Sequence, residues 1–175
     1  MKFVRVAFFA LTLAVIGAAP STLAAEFPFE SLGIPVQVNP DTGEARQYAP
    51  PEGAGAWAFI AGPDGCIYLG TWDGALVLRF DPRHPERQIE VVGKPAKSES
   101  YLWNYAVGRD GWIYGVTYPQ AKLVRHQPRT GALEDLGRMH ATEMYARSVA
   151  AGPNGKIYVG IGTVTGDLVV FDPAS

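Results

Sequence analysis

Trp57–Pro82 reads WAFIAGPDGCIYLGTWDGALVLRFDP. Two short apolar runs, Trp57–Ala61 and Cys66–Gly70, flank Gly62-Pro63-Asp64-Gly65. An Asp-Gly pair at that point supplies the positive φ that a tight hairpin requires. A third run, about Ala75–Phe80, ends in Asp81-Pro82, where proline fixes φ and releases the chain from the strand. A fourth, about Gln88–Val92, is more polar, as an outer strand facing water should be. No helical period runs through any of it.

The same stretch returns twice. Trp103–Pro128 (WNYAVGRDGWIYGVTYPQAKLVRHQP) and Arg147–Pro173 (RSVAAGPNGKIYVGIGTVTGDLVVFDP) superimpose on it. Tyr68, Tyr114 and Tyr158 recur in step with Gly62, Gly108 and Gly152. Pro35–Gly43 matches only the tail of the unit, as in Pro128–Gly131. A period of about 45 residues built from four short strands is that of a propeller blade. The predicted fold is therefore all-β, a partial β-propeller of about three to four four-stranded blades. Residues 26–56 form the end of a first blade, 57–102 a second, 103–146 a third and 147–175 the start of a fourth. That count falls short of the roughly four to eight blades of a closed ring. The expectation is a truncated chain, or else a short protein that closes by self-association. Residues 26–175 alone would expose sheet faces and strand edges, and should aggregate or oligomerise.

Composition agrees. The 175 residues include 20 Gly and 14 Pro, which argues against a helical bundle, and an aromatic content of 11% argues against disorder. The formal charge is −2 with scattered basic residues, so there is no nucleic-acid footprint. Lys2 and Arg5 precede the apolar run Val6–Ala19, and Pro20, Ser21 and a small-residue end at Ala24-Ala25 follow. This is the layout of a signal peptide over residues 1–25, and it predicts a secreted or periplasmic protein with no membrane attachment after cleavage. As a helix the apolar run would rise about 21 Å, too short for a hydrocarbon core of about 30 Å. The single cysteine, Cys66, has no internal disulfide partner and reads as a small buried hydrophobe.

On G-P-D-G-x-I-Y-x-G at Gly62–Gly70 and the Pro-x-Thr-Gly turns ending at Gly43 and Gly131, the repeats resemble a group of secreted propellers. That group includes quinoproteins, streptogramin lyases and regucalcin-like gluconolactonases, and the resemblance covers about Pro35–Pro173. These are turn and packing signatures, so they imply a fold and no chemistry. The resemblance implies that the first strand of each blade is innermost. It also implies that the loop before that strand, and the loop between second and third strands, surround the channel mouth. The Asp-Gly and Asp-Pro turns then lie on the opposite face.

The starts of the first strands bring Trp57, Tyr101, Trp103, Asn104, Tyr145 and Arg147 to that mouth. The second loops add Thr71, Trp72, Asp73, Thr117, Tyr118 and Thr163. The candidate ligand-binding set is Trp57, Trp72, Asp73, Trp103, Asn104, Tyr118, Tyr145 and Arg147. Such rings stack on sugar faces or else pack between wedge-shaped blades, and Arg147 can take a carboxylate bidentately. His84, His126 and His140 fall at unrelated places in the repeat and read as solvated or edge residues, so no metal site is predicted. A regucalcin-like ion site needs Glu, Asn and Asp together, and only Asn104 is suitably placed. Asp73, Glu99 and Glu143 remain candidates for acid or base work. No cofactor is assigned, since a quinone needs a closed ring and an axial cap. The expected function is a secreted module binding a carbohydrate or other small polar ligand at the mouth. The alternative is a lyase or hydrolase on an acidic polysaccharide that draws further groups from other blades. Further blades or a second copy are the expected protein partners.

Overall fold

The computed structural model describes residues 36–48 and 55–175. The expected signal peptide, 1–25, lies outside them. Among the described residues thirteen strands follow one another: β1 (Val36–Val38), β2 (Ala45–Gln47), β3 (Ala56–Ala61), β4 (Ile67–Thr71), β5 (Val77–Phe80), β6 (Ile89–Gly93), β7 (Tyr101–Val107), β8 (Ile113–Tyr118), β9 (Lys122–His126), β10 (Leu133–Arg138), β11 (Ala146–Ala151), β12 (Ile157–Ile161) and β13 (Asp167–Phe171). They form antiparallel meanders in the orders β1-β2, β3-β4-β5-β6, β7-β8-β9-β10 and β11-β12-β13. A 3-10 turn at Pro85–Arg87 is the one helical element among the described residues. None of their helices is long and apolar enough to cross a membrane. The strands fall where the repeat places them, except that β5 starts at Val77 and not Ala75. Asp73 and Ala75 take φ of 58° and 50° there, and the Gly74 and Ala75 N–H groups donate to the Ser100 carbonyl. The chain is still turning where the apolar pattern already reads as strand.

One local device is repeated in all three larger sheets. The hairpin residue Asp64 accepts the Cys66 N–H at 3.2 Å and the Tyr68 hydroxyl at 3.0 Å. Asp110 does the same with the Trp112 N–H at 3.2 Å and the Tyr114 hydroxyl at 2.6 Å. In the last sheet Asn154 accepts the Lys156 N–H, and its amide donates to the Tyr158 hydroxyl at 2.9 Å. The tyrosine ring lies flat over the first glycine of the turn. A Cβ on Gly62, Gly108 or Gly152 would meet the ring at 2.6, 2.7 and 2.6 Å. The Gly-x-Asp-Gly-x-x-Tyr spacing is thus a single object: a hairpin whose side-chain acceptor holds a ring that only glycine leaves room for. Burial, and then the Asp110 hydrogen bond, push the Tyr114 phenol up to about 12.

Sheets pack face to face through these rings. Tyr68 is fully buried against the third sheet, with Ala58, Val77, Leu102, Tyr105 and Val124 around it. Tyr114 occupies the same place one blade later, among Ala106, Val116, Leu123, Val149 and Val159. Tyr105 reaches back across the first of these interfaces, and its hydroxyl donates to the Leu69 carbonyl at 3.4 Å. A Cβ on Gly70 would sit 2.6 Å from Leu102, so β4 can approach β7 closely only because Gly70 lacks one. The first strands β3, β7 and β11 touch one another from blade to blade, β4 also reaches β7 and β8 reaches β11, and the outer strands stand further apart.

His126 departs from expectation. It ends β9 at the place held by Phe80 and Phe171 in the neighbouring sheets, and it is 3% exposed, not a solvated edge residue. Its ring lies 4.9 Å from that of Tyr68, as Phe80 lies against Tyr48 and Phe171 against Tyr114. Nδ1 is 3.3 Å from the Ala132 carbonyl, which only accepts, so Nδ1 carries the proton. Nε2 is buried with no partner among the described residues. Desolvation lowers the His126 pKa, opposed by the Ala132 carbonyl and the charge of Asp64.

A histidine held below its ordinary value of about 6.5 favours the unfolded chain once the solution is acidic enough to protonate it there. Stability is therefore full above that pH and falls as pH drops toward the lowered folded value. His126→Phe should stabilise by about 1–2 kcal/mol at neutral pH, by removing the orphaned Nε2. It should also remove the part of the acid sensitivity that sets in below about pH 6.5. Urea unfolding at pH 7.5 and 5.5 checks both. Equal pH slopes for wild type and variant would show that His126 is not the titrating group.

Candidate functional site

Each first strand carries a β-bulge at the same place. Pairing between β3 and β4 runs Ala56↔Thr71 and then Ala58↔Gly70, so Trp57 has no partner. Between β7 and β8 it runs Leu102↔Thr117 and then Asn104↔Val116, skipping Trp103. Between β11 and β12 it skips Arg147. A bulge inserts one residue without a cross-strand partner and re-aims its side chain. Three bulges in register therefore present Trp57, Trp103 and Arg147 together on one end of the sheets.

The loops between second and third strands bring further rings to that end. Trp57 stacks on Trp103 with centroids 4.3 Å apart, and on Trp72 at 6.2 Å. Tyr101 stands edge-on to both Trp57 and Trp103 and stacks on Tyr118 at 5.1 Å. Tyr118 lies 4.3 Å from Tyr145, and Tyr145 5.8 Å from Trp103. The Arg147 guanidinium carbon sits 4.7 Å from the Tyr145 centroid and 5.2 Å from that of Trp103. Six rings and one cation thus form a single connected surface. Trp103 and Tyr118 are half-buried within it, while Trp57 is 49% and Trp72 40% exposed. The Trp103 Nε1 is buried with no partner among the described residues, so stacking and not its N–H sets this ring's place. The neighbouring Tyr145 phenol, and then its own burial, raise the Tyr118 pKa. The Trp72 indole lies directly over Gly55, and a Cβ there would collide with it.

The remaining predicted residues take other parts. Asn104 is exposed, and its side-chain oxygen accepts the Tyr105 N–H at 2.8 Å, beside the bulge. Asp73 is exposed at φ 58° in the loop next to Trp72.

The carboxyl groups of Glu99 and Glu143, considered above for acid or base work, are anchors. Glu99 is 1% exposed. It accepts the Thr117 hydroxyl at 2.6 Å, the Gln120 N–H at 3.0 Å and the Ser98 hydroxyl at 3.1 Å. Thr117 in turn accepts the Lys122 N–H at 3.0 Å, so Glu99 ties the β8–β9 loop to the start of its own blade. Glu143 repeats the arrangement one blade later. It accepts the Thr165 hydroxyl at 2.9 Å and the Thr163 N–H at 3.3 Å. The Thr165 hydroxyl and backbone hydrogen bonds hold the Glu143 pKa below the usual carboxylate range. The β8–β9 and β12–β13 loops are thereby fixed from within. Their shared spacing, two residues ahead of Tyr101 and Tyr145, was the signal in the sequence. No group of three or more His, Cys, Asp or Glu among the described residues is placed to hold a metal ion.

No family model and no curated protein matches the chain. Among solved structures it is similar to virginiamycin B lyase from Staphylococcus aureus, with a TM-score of 0.64 at 14% identity over 82% of this chain and 50% of that one. A streptogramin B lyase gives 0.63 at 18% identity over 82% and 49%. An auxiliary nutrient binding protein from Bacteroides ovatus gives 0.52 at 14% identity over 77% and 35%. The chain spans about half the length of the two lyases. At these identities the likeness establishes the fold, a partial β-propeller, and streptogramin lyases are among the propellers that the repeat motif resembles.

Proposed function

We propose that this chain is an exported propeller module that binds a carbohydrate or similar ring-bearing polar ligand on the mouth surface. The observation that carries the reading is the pair of exposed indoles, Trp57 at 49% and Trp72 at 40%, on an otherwise packed aromatic cluster. Tryptophan left half in water at the end of the sheets offers a flat apolar face beside polar groups, which is what a sugar ring stacks on. Anchoring of the loops by Glu99 and Glu143 supports it, because a rigid shelf loses little ordering entropy on binding. The lyase or hydrolase alternative has less support, since anchoring takes two of its three candidate carboxyl groups and leaves Asp73. The exported location rests on residues 1–25, and further blades or a second copy remain the proposed protein partners.

Calorimetry with neutral oligosaccharides, three to six hexose or pentose units long, tests the reading. Trp57→Ala and Trp72→Ala should each weaken binding about tenfold, the loss of one stacked ring. Val91→Ala removes an apolar side chain that is 40% exposed on β6, the strand of that sheet farthest from β3, and should leave binding unchanged. Equal affinities for all four proteins would remove the shelf as the site.

A further inference from the structure

Arg147 is unlike the arginines packed elsewhere on these sheets. Arg79 pairs with Glu90 at 3.0 Å, Arg83 with Asp81 at 2.8 Å and Arg125 with Glu134 at 2.7 Å. Arg147 is exposed, and its contacts among the described residues are the faces of Trp103 and Tyr145 alone. A guanidinium held over ring faces by its charge uses none of its five N–H donors in that contact. No carboxylate among the described residues pairs with Arg147, and the one nearest in sequence, Glu143, accepts from the Thr163 N–H and the Thr165 hydroxyl through its two oxygens. The bulge in β11 removes the cross-strand neighbour as well. What results is an unpaired fork of donors at the edge of an aromatic shelf.

From this we infer that the mouth selects glycans bearing a carboxylate, and that Arg147 is the selecting residue; the inference rests on the shelf being a carbohydrate site. A uronic acid unit carries both features on one ring: an apolar C–H face to stack and a planar carboxylate at its rim. Trp57 stacks on Trp103 at 4.3 Å, and Trp103 lies 5.2 Å from the guanidinium carbon. One or two sugar units therefore span from the exposed indole to the fork. A carboxylate fits the fork with two parallel hydrogen bonds, which a point cation such as lysine cannot supply.

The test uses trimers of galacturonic, glucuronic and mannuronic acid, each beside its methyl ester, which keeps the ring and removes the charge. Calorimetry compares wild type, Arg147→Gln, Arg147→Lys and Trp57→Ala. At least one free acid should bind wild type about ten- to a hundredfold more tightly than its ester. Arg147→Gln should bring acid and ester to equal affinity, with the ester unchanged, and Arg147→Lys should recover only part of the difference. Trp57→Ala should weaken acid and ester alike. Acid and ester binding wild type equally would overturn the inference while leaving the shelf intact. Tighter binding of a sulfated trisaccharide than of any uronate would overturn the carboxylate assignment. A failure of every acid and ester to bind, with the neutral oligosaccharides failing too, would overturn the shelf reading and this inference with it.

Discussion

Tyr114→Ala is expected to lower the unfolding free energy by about 4 kcal/mol, the usual cost of deleting a fully buried ring. The ring is completely inaccessible and lies between the third and fourth sheets, among Ala106, Val116, Leu123, Val149 and Val159. Its removal opens a cavity that the flat strands on either side cannot collapse into, because Gly108 beneath it contributes no side chain. Tyr114→Phe keeps the ring and loses only the hydroxyl donor to Asp110, a bond of 2.6 Å, and should cost about 1 kcal/mol. For a chain of this size the alanine variant should melt about 10 °C below wild type. Tyr158→Phe should cost less than Tyr114→Phe, since Tyr158 is half-exposed and its partner Asn154 stands in water. Urea unfolding of the three variants checks the order. A Tyr114→Ala cost near that of Tyr114→Phe would mean that the rings do not hold the sheets together.

The second large effect is at Glu99. Glu99→Ala strands the Thr117 hydroxyl and the Gln120 N–H in a site closed to water, for an expected loss of about 3 kcal/mol. Glu99→Gln should cost far less. Its amide oxygen can accept from Thr117 and Gln120, while its NH2 turns toward the Ser98 hydroxyl, which can accept. The partly exposed Glu143 makes the same contacts in water's reach, so Glu143→Ala should shift the melting temperature only slightly. If Glu99→Ala and Glu143→Ala melt together, burial is not what gives Glu99 its weight. Hydrogen exchange adds an independent reading: Glu99→Ala should lower protection at Gln120 and Lys122 without touching β12.

The blade period was legible because it rests on backbone chemistry. Gly62, Asp64, Gly65 and Tyr68 are bound to their offsets by one hairpin, and the same constraint repeats at Gly108 and Gly152. Strand limits followed from it to within two residues, and the placing of Trp57, Trp72, Trp103, Tyr118 and Tyr145 at one end followed from the resemblance to known propellers. The bulges did not show. Whether Trp57 has a partner depends on the register of β4 against β3, and nothing local to Ala56–Ala58 encodes it. His126 was misread for a related reason. A histidine at the end of a polar-looking strand resembles a surface residue, and only the repeat position of Phe80 and Phe171 reveals the buried slot it fills. The anchoring carboxyl groups were seen as acidic residues in mouth loops, but their partners lie some twenty residues away across a hairpin.

The three bulges also bear on how such a protein can change over time. A residue paired across a sheet is constrained on both sides: by its neighbour's shape and by the alternation of the strand. Trp57, Trp103 and Arg147 are released from that constraint, since no residue stands opposite them. A tryptophan and an arginine already occupy equivalent bulges, and each blade tolerates its own. The framework therefore behaves as a rack of interchangeable sockets. Mutation can draw a new side chain for any one of them without re-registering a strand, so the chemistry displayed at this end can change while the sheets stay as they are.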